Sequence, residues 1–268
     1  MTDTAGPSER QYTKDELRDQ GWKFKSDELQ QQPAVKGVTH KAGSWINEDG
    51  GSAVNLAQEV CASGMLAADS VLSVMKEALD IAVVQVQGCR GMSVLGEKDE
   101  TREQILAKGG LDAVLAALRA HPSEAAVQAA GCTAIGNFAL GEGEATVRAS
   151  GALAQVLEAM AALPAEAKLQ AKACRALGNC AFSPEGEADV LAKGGVAAVL
   201  AAMRAHPSDA AVQEEGCDAL CNLPSAKAAI LAGGGLAVVT ASLSSAATAT
   251  TSADECVAWL NEPDEAAA

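Results

Sequence analysis

Cysteine and histidine are the residues of this chain best suited to redox, metal or nucleophilic chemistry; there are eight of the first and three of the second in 268 positions. Cys217 and Cys221 stand at i and i+4, so on a helix they would share a face as zinc ligands do, but no third and fourth ligand accompany them in the sequence. His121 and His206 both occur in "RAHPS", the same position of two copies of one pattern, and the copy between them carries Leu163 there. The glycine-rich stretches "GEGEAT" (141–146) and "AGGGLA" (232–237) lack the preceding strand and the following Lys-Ser/Thr that phosphate binding requires. There is no G-x-S-x-G and no paired-carboxylate setting. These absences argue against an enzyme and imply no cofactor or metal.

What the cysteines do have is a period. Cys89, Cys132, Cys174 and Cys217 fall 43, 42 and 43 residues apart. One cysteine per copy at a fixed slot reads as a small buried core residue. A disulfide framework belongs to short secreted chains, and the polar N-terminus shows neither an apolar signal core nor an Arg-rich presequence. The expectation is therefore the cytoplasm or another reducing compartment. A cysteine-based redox or metal-binding protein stands as the alternative from a different functional class. The formal charge of −15 repels phosphate backbones and argues against nucleic acid as a partner. No run of about 18 apolar residues exists, so no membrane insertion is expected. The apolar residues are mainly Ala, Leu and Val, with 3% aromatics, a composition suited to closely packed helices.

The elements that carry the cysteines repeat with them. "AVQEEGCDALCNL" (211–223) returns as "AVQAAGCTAIGNF" (126–138), "KLQAKACRALGNC" (168–180) and, more loosely, "VVQVQGCRGMSVL" (83–95). Before each lies a segment with apolar residues at i, i+3, i+4 and i+7: "LDAVLAALRAHP" (111–122), "LAQVLEAMAALP" (153–164) and "VAAVLAAMRAHP" (196–207). "ADSVLSVMKEAL" (68–79) and "LAVVTASLSS" (236–245) fit the same slot. A short helix precedes it in turn, closed at Gly109, Gly151, Gly194 and Gly234, where a left-handed conformation would turn the chain sharply. The second helix is expected to stop at Pro122, Pro164 and Pro207. Ser123 and Ser208 then read as N-caps of the third helix, with Glu124 and Asp209 in its first turn. Gly131–Cys132 and Gly216–Cys217 are small where neighbouring helices approach. One such unit cannot bury both faces, but stacked units can, so the fold class is an all-α right-handed solenoid of about four to five three-helix units.

The pattern "ILAKGG–LDAVLAALRAHPSEAAVQAAGCTAIGNFA" resembles the armadillo repeat of beta-catenin and importin alpha. The Gly-Gly turn, the Leu/Val-rich second helix and the third helix ending in an Asn-centred "ALxNL" carry the resemblance over residues 68–262. It implies a concave groove lined by the third helices, with the asparagines gripping the backbone of an extended peptide. Asn137, Asn179, Asn222 and Asn261 hold that slot, and Val94 holds it in the first unit. Four residues before it, where importin alpha has Trp, stand Arg90, Thr133, Arg175, Asp218 and Val257; that departure argues against nuclear-localisation-signal binding. Seven before it stand Gln87, Ala130, Lys172, Glu215 and Asp254, on the same helical face. The groove is thus expected to be basic near Arg90, Lys172 and Arg175, and acidic near Glu215, Asp218 and Asp254.

Residues 1–50 do not repeat, yet Tyr12, Trp22, Phe24 and Trp45 are four of the chain's seven aromatics. They read as anchors of an extended polar arm docking on a protein partner, or as cover for the exposed face of the first unit. Thr13 with Glu16 forms a capping box for one short helix ending at Gly21. A capping helix over 53–66 with Ser52 as N-cap is expected before the solenoid, and a short tail over 263–268 after it. The expected function is a non-catalytic protein–protein interaction scaffold binding through groove or arm; a permanent accessory subunit of a large assembly, docked by the arm, is its variant.

Overall fold

The computed structural model describes residues 22–24, 45–47, 65, 68–243 and 251–262. The short helix expected at 13–21, Tyr12, the capping helix over 53–66 and the tail over 263–268 fall outside those residues, apart from Met65. Two strands, β1 (Trp22–Phe24) and β2 (Trp45–Asn47), pair antiparallel with Phe24 opposite Trp45. Everything else described is helical. The first unit contributes α1 (Ala68–Glu77) and α2 (Ala82–Gly96). Three complete units follow: α3 (Asp99–Ala107), α4 (Gly110–Ala120) and α5 (Ala125–Phe138); α6 (Gly143–Ala149), α7 (Ala152–Ala162) and α8 (Ala167–Cys180); α9 (Pro184–Ala192), α10 (Gly195–Ala205) and α11 (Ala210–Cys221). A 3-10 turn (Pro224–Ala226) leads into α12 (Lys227–Ala232), α13 (Gly235–Leu243) and α14 (Thr251–Asn261). The third helices α2, α5, α8, α11 and α14 lie side by side in chain order, each packed on the next. This is an all-α solenoid.

The glycine turns work as their position in the sequence implies. Gly109, Gly151, Gly194 and Gly234 have φ of +83°, +78°, +83° and +75°, where a Cβ would strain the backbone. Gly109, Gly151 and Gly194 end the first helix and are also the N-cap of the second. The second helices end at His121, Leu163 and His206, each just before its proline. The expected caps shift by one residue. The third helices are capped by Glu124 and Asp209, not by Ser123 and Ser208, because the N–H groups of Glu124 and Asp209 first close turns onto the carbonyls of His121 and His206. The Asp209 carboxylate accepts from the Val212 N–H at 3.0 Å.

Burial follows the repeat. Cys89, Cys132, Cys174 and Cys217 are fully buried. The residue before each must be small: a Cβ on Gly131 would lie 2.4 Å from Leu118 Cδ2, and one on Gly216 2.7 Å from Met203 Cγ. Between units, Gly136 sets α5 against the Ala176 backbone of α8, and Gly178 sets α8 against Ala219 of α11. Among the described residues no single helix is long and apolar enough to cross a membrane.

Candidate functional site

The second helix of each unit ends with carbonyls that have no intrahelical partner. In every unit up to α11 a buried glutamine on the third helix meets them. Gln85 Nε2 donates to the carbonyls of Met75 and Ala78 at 2.9 and 2.8 Å, and Gln128 to those of Leu118 and His121 at 2.8 and 2.9 Å. Gln170 donates to Met160 and Leu163, both at 3.0 Å, and Gln213 to Met203 and His206, both at 2.9 Å. These glutamines recur in the repeated "VQ/LQ" dipeptide, a signal visible in the sequence that pattern reading alone left without a role. The two repeated histidines are also accounted for: His121 Nε2 lies 2.7 Å from the Leu79 carbonyl and His206 Nε2 2.8 Å from the Pro164 carbonyl, each one unit back. A carbonyl only accepts, so each ring nitrogen carries a proton there. On the outer edge, Glu144 accepts from the Ser183 hydroxyl at 2.8 Å, and Glu187 from the Ser225 amide and hydroxyl at 2.7 and 2.8 Å.

The asparagine slot behaves differently along its length. Asn137 is buried, and its amide donates to the carbonyl and hydroxyl of Ser93 on α2, both at 3.0 Å. Asn179 is half-buried and donates to the Gly136 carbonyl at 2.9 Å; Asn222 is exposed and donates to the Gly178 carbonyl at 3.3 Å. Each therefore bridges to the preceding third helix, one residue before the corresponding slot. Asn261 instead donates to Val257 on its own helix at 2.9 Å. A carbonyl takes one amide N–H of Asn179 and one of Asn222, which leaves each side chain a second N–H and its oxygen.

The row four residues earlier carries the exposed charges. Arg90, Arg175 and Asp218 are exposed, while Thr133 and Val257 are half-buried, Thr133 donating its hydroxyl to Ala129 at 2.9 Å. In the row seven earlier, Gln87 and Ala130 are buried, Lys172 and Glu215 are half-buried, and Asp254 is exposed. Lys172 and Glu215 face each other across α8 and α11 at 4.0 Å. Burial raises the Glu215 carboxyl above the usual range, and Arg175 and Lys172 oppose that. The boundary between basic and acidic residues thus falls between α8 and α11 and is partly self-neutralised. In the arm, the backbones of Trp22, Phe24 and Trp45 belong to the paired ribbon.

Four of the buried cysteines are poor nucleophiles. Burial pushes the thiols of Cys89, Cys132, Cys174 and Cys180 up to about 12. Among the described residues no group of three or more His, Cys, Asp or Glu is arranged to hold a metal ion. A shallow cleft between α6 and α9 is lined by four alanines with Arg148, Glu185 and Asp189; no nucleophile and base meet there.

No protein-family model and no curated protein matches the chain. Solved structures do. An engineered protein from a structural genomics consortium superposes with a TM-score of 0.64 at 24% identity, over 79% of this chain and 91% of that one. A second engineered protein gives 0.60 at 23% identity, over 78% and 89%. A designed armadillo repeat protein in complex with the peptide (KR)4 gives 0.61 at 15% identity, over 78% and 88%. These likenesses define the class by fold: an armadillo-type repeat solenoid. The third helices of this solenoid bear the asparagine slot and the two charged rows.

Proposed function

We propose that this chain is a non-catalytic scaffold that holds an extended segment of a partner protein along the face of its third helices. The observation that carries the reading is the exposed row Arg90, Arg175, Asp218 on aligned helices, with Asn179 and Asn222 about one helical turn further on. The designed relative in complex with (KR)4 lends the reading a precedent for peptide binding on this architecture. The charge order gives the ligand a direction: acidic groups toward Arg90 and Arg175, basic groups toward Asp218 and Asp254. Exposed pairs contribute about 0.2–1 kcal/mol each, so they select orientation more than affinity. The unpaired state of the seven described cysteines favours a reducing compartment, the cytoplasm among them.

A second reading rests on the ribbon of Trp22–Phe24 and Trp45–Asn47. It makes the arm the docking element of a permanent accessory subunit. One experiment separates the two. A partner captured by co-purification under gentle, low-salt conditions is titrated against Arg175→Glu, Arg204→Glu and a chain lacking residues 1–50. The groove reading expects Arg175→Glu to weaken binding while Arg204→Glu, on the second helix α10, leaves it alone. If both reversals leave affinity intact and removal of the arm abolishes it, the arm is the binding surface.

A further inference from the structure

Where α14 packs on α11, three thiols meet. Cys217 and Cys221 stand one turn apart on α11, and the Cys256 thiol of α14 is in hydrogen-bonding contact with both. Cys217 and Cys256 are buried, but Cys221 is half-exposed. No group of three or more His, Cys, Asp or Glu among the described residues is arranged to hold a metal ion, so the three thiols form no metal cage. The arrangement instead suits chemistry that needs two touching sulfurs, one of them reachable from solvent. We propose that Cys221 and Cys256 form a reversible oxidation site, which a low-molecular-weight disulfide of the glutathione type converts to an intrachain disulfide joining α11 to α14.

The electrons balance in two exchanges. Cys221 loses its proton to solvent and its thiolate attacks one sulfur of the oxidant, breaking that S–S bond and releasing one thiolate, which takes up a proton. The Cys256 thiolate then attacks the Cys221 sulfur of the mixed disulfide and releases the second thiol. Two protein thiols are oxidised and one disulfide is reduced to two thiols. Cys221 reacts first because it alone of the three is solvent-accessible. The Cys256 thiol is pushed up to about 12, with its hydrogen bond to Cys217 the largest cause; Cys221 is raised as well, chiefly by its hydrogen bond with Cys256. Thiolate is therefore scarce near neutrality, and closure should speed up about tenfold per pH unit over that range. The product ties α14, with Asp254 and Asn261, covalently to α11.

The test uses the full chain with glutathione disulfide between about pH 7 and pH 9, mapped by peptide mass spectrometry. The expected result is a loss of about 2 Da per chain in a linked Cys221–Cys256 peptide, faster at higher pH. Cys221→Ser and Cys256→Ala abolish the link, and Cys217→Ser keeps it. Phenylarsine oxide, which bridges two adjacent thiols without oxidising them, should bind the reduced chain and lose that binding in Cys221→Ser. The variants' helical circular dichroism shows that they fold. Glutathione that remains on Cys221 as a stable mixed disulfide would overturn the proposal, as would a link that forms only in denaturant, or pairing of Cys256 with Cys217.

Discussion

Replacing Gln170 by methionine tests the glutamine contacts without emptying the space they fill. Gln170 is 2% exposed, and both its amide hydrogens reach carbonyls at the end of α7, each at 3.0 Å. Methionine matches the side chain in length but donates nothing, so the buried Met160 carbonyl loses that partner and the half-buried Leu163 carbonyl keeps only the Glu166 N–H. Two net hydrogen bonds at about 0.5–1.5 kcal/mol each, plus desolvation that is no longer compensated, put the loss at about 2–4 kcal/mol. With a urea m-value of about 2–3 kcal/mol/M, the midpoint followed by far-UV circular dichroism should fall by roughly 1 M. Gln104→Met, at an exposed position of α3, should move it by less than about 0.5 kcal/mol. A Gln170→Met midpoint equal to that of Gln104→Met would show that solvent or backbone rearrangement satisfies the α7 carbonyls, and that the recurring glutamine has another cause.

Gly131→Ala should destabilise by about 1–3 kcal/mol, because its Cβ would meet Leu118; Ala173 fills the same slot in the next unit, so a silent Gly131→Ala would mean that Leu118 yields. For Glu215, burial raises the folded pKa, so the protonated form favours the fold: that contribution is fully present below the unfolded carboxyl's pKa and is lost as pH rises through the folded value. Glu215→Gln should accordingly gain stability relative to the parent from about pH 4 to pH 7 in thermal melts, and a constant difference across that window would contradict the desolvation account. Asn137→Ala should cost about 1–3 kcal/mol of stability while leaving partner affinity unchanged, since both its bonds to Ser93 are buried. Asn222→Ala should do the reverse, weakening binding by about 0.5–1.5 kcal/mol with little loss in a melt; equal behaviour of the two would mean the slot has one role throughout.

The units were legible in the sequence because their signals are local and repeated. Gly109 must be left-handed, Leu111, Val114, Leu115 and Leu118 must share a face, and Pro122 must end that face, whatever surrounds them. The cap at Glu124 was missed by one residue because a backbone turn onto His121 competes with the serine, and composition does not rank the two. The thiol contact of Cys256 is not legible from the period, because Cys256 follows Cys217 by 39 residues and not by about 42.

The polar slots pose a harder problem, since stacking and binding use the same residue types. A solenoid answers it through sequence separation. His121 and His206 reach back 42 residues, Asn137 and Asn222 reach back 44, and Asn179 reaches back 43. A polar bond spanning one period is a bond between stacked units, and the sequence shows the period but not which atoms close it. Asparagine can serve both ends because its amide has two donors and an acceptor: one N–H ties α8 to α5 or α11 to α8, and the other N–H and the oxygen are left over. What distinguishes Asn137 from Asn222 is burial, which rises toward the first unit, where Gln87 and Ala130 are also covered. Under the proposed function the part of the slot open to a ligand lies in the later units, beside Arg175 and Asp218, and the earlier asparagine belongs to the stack.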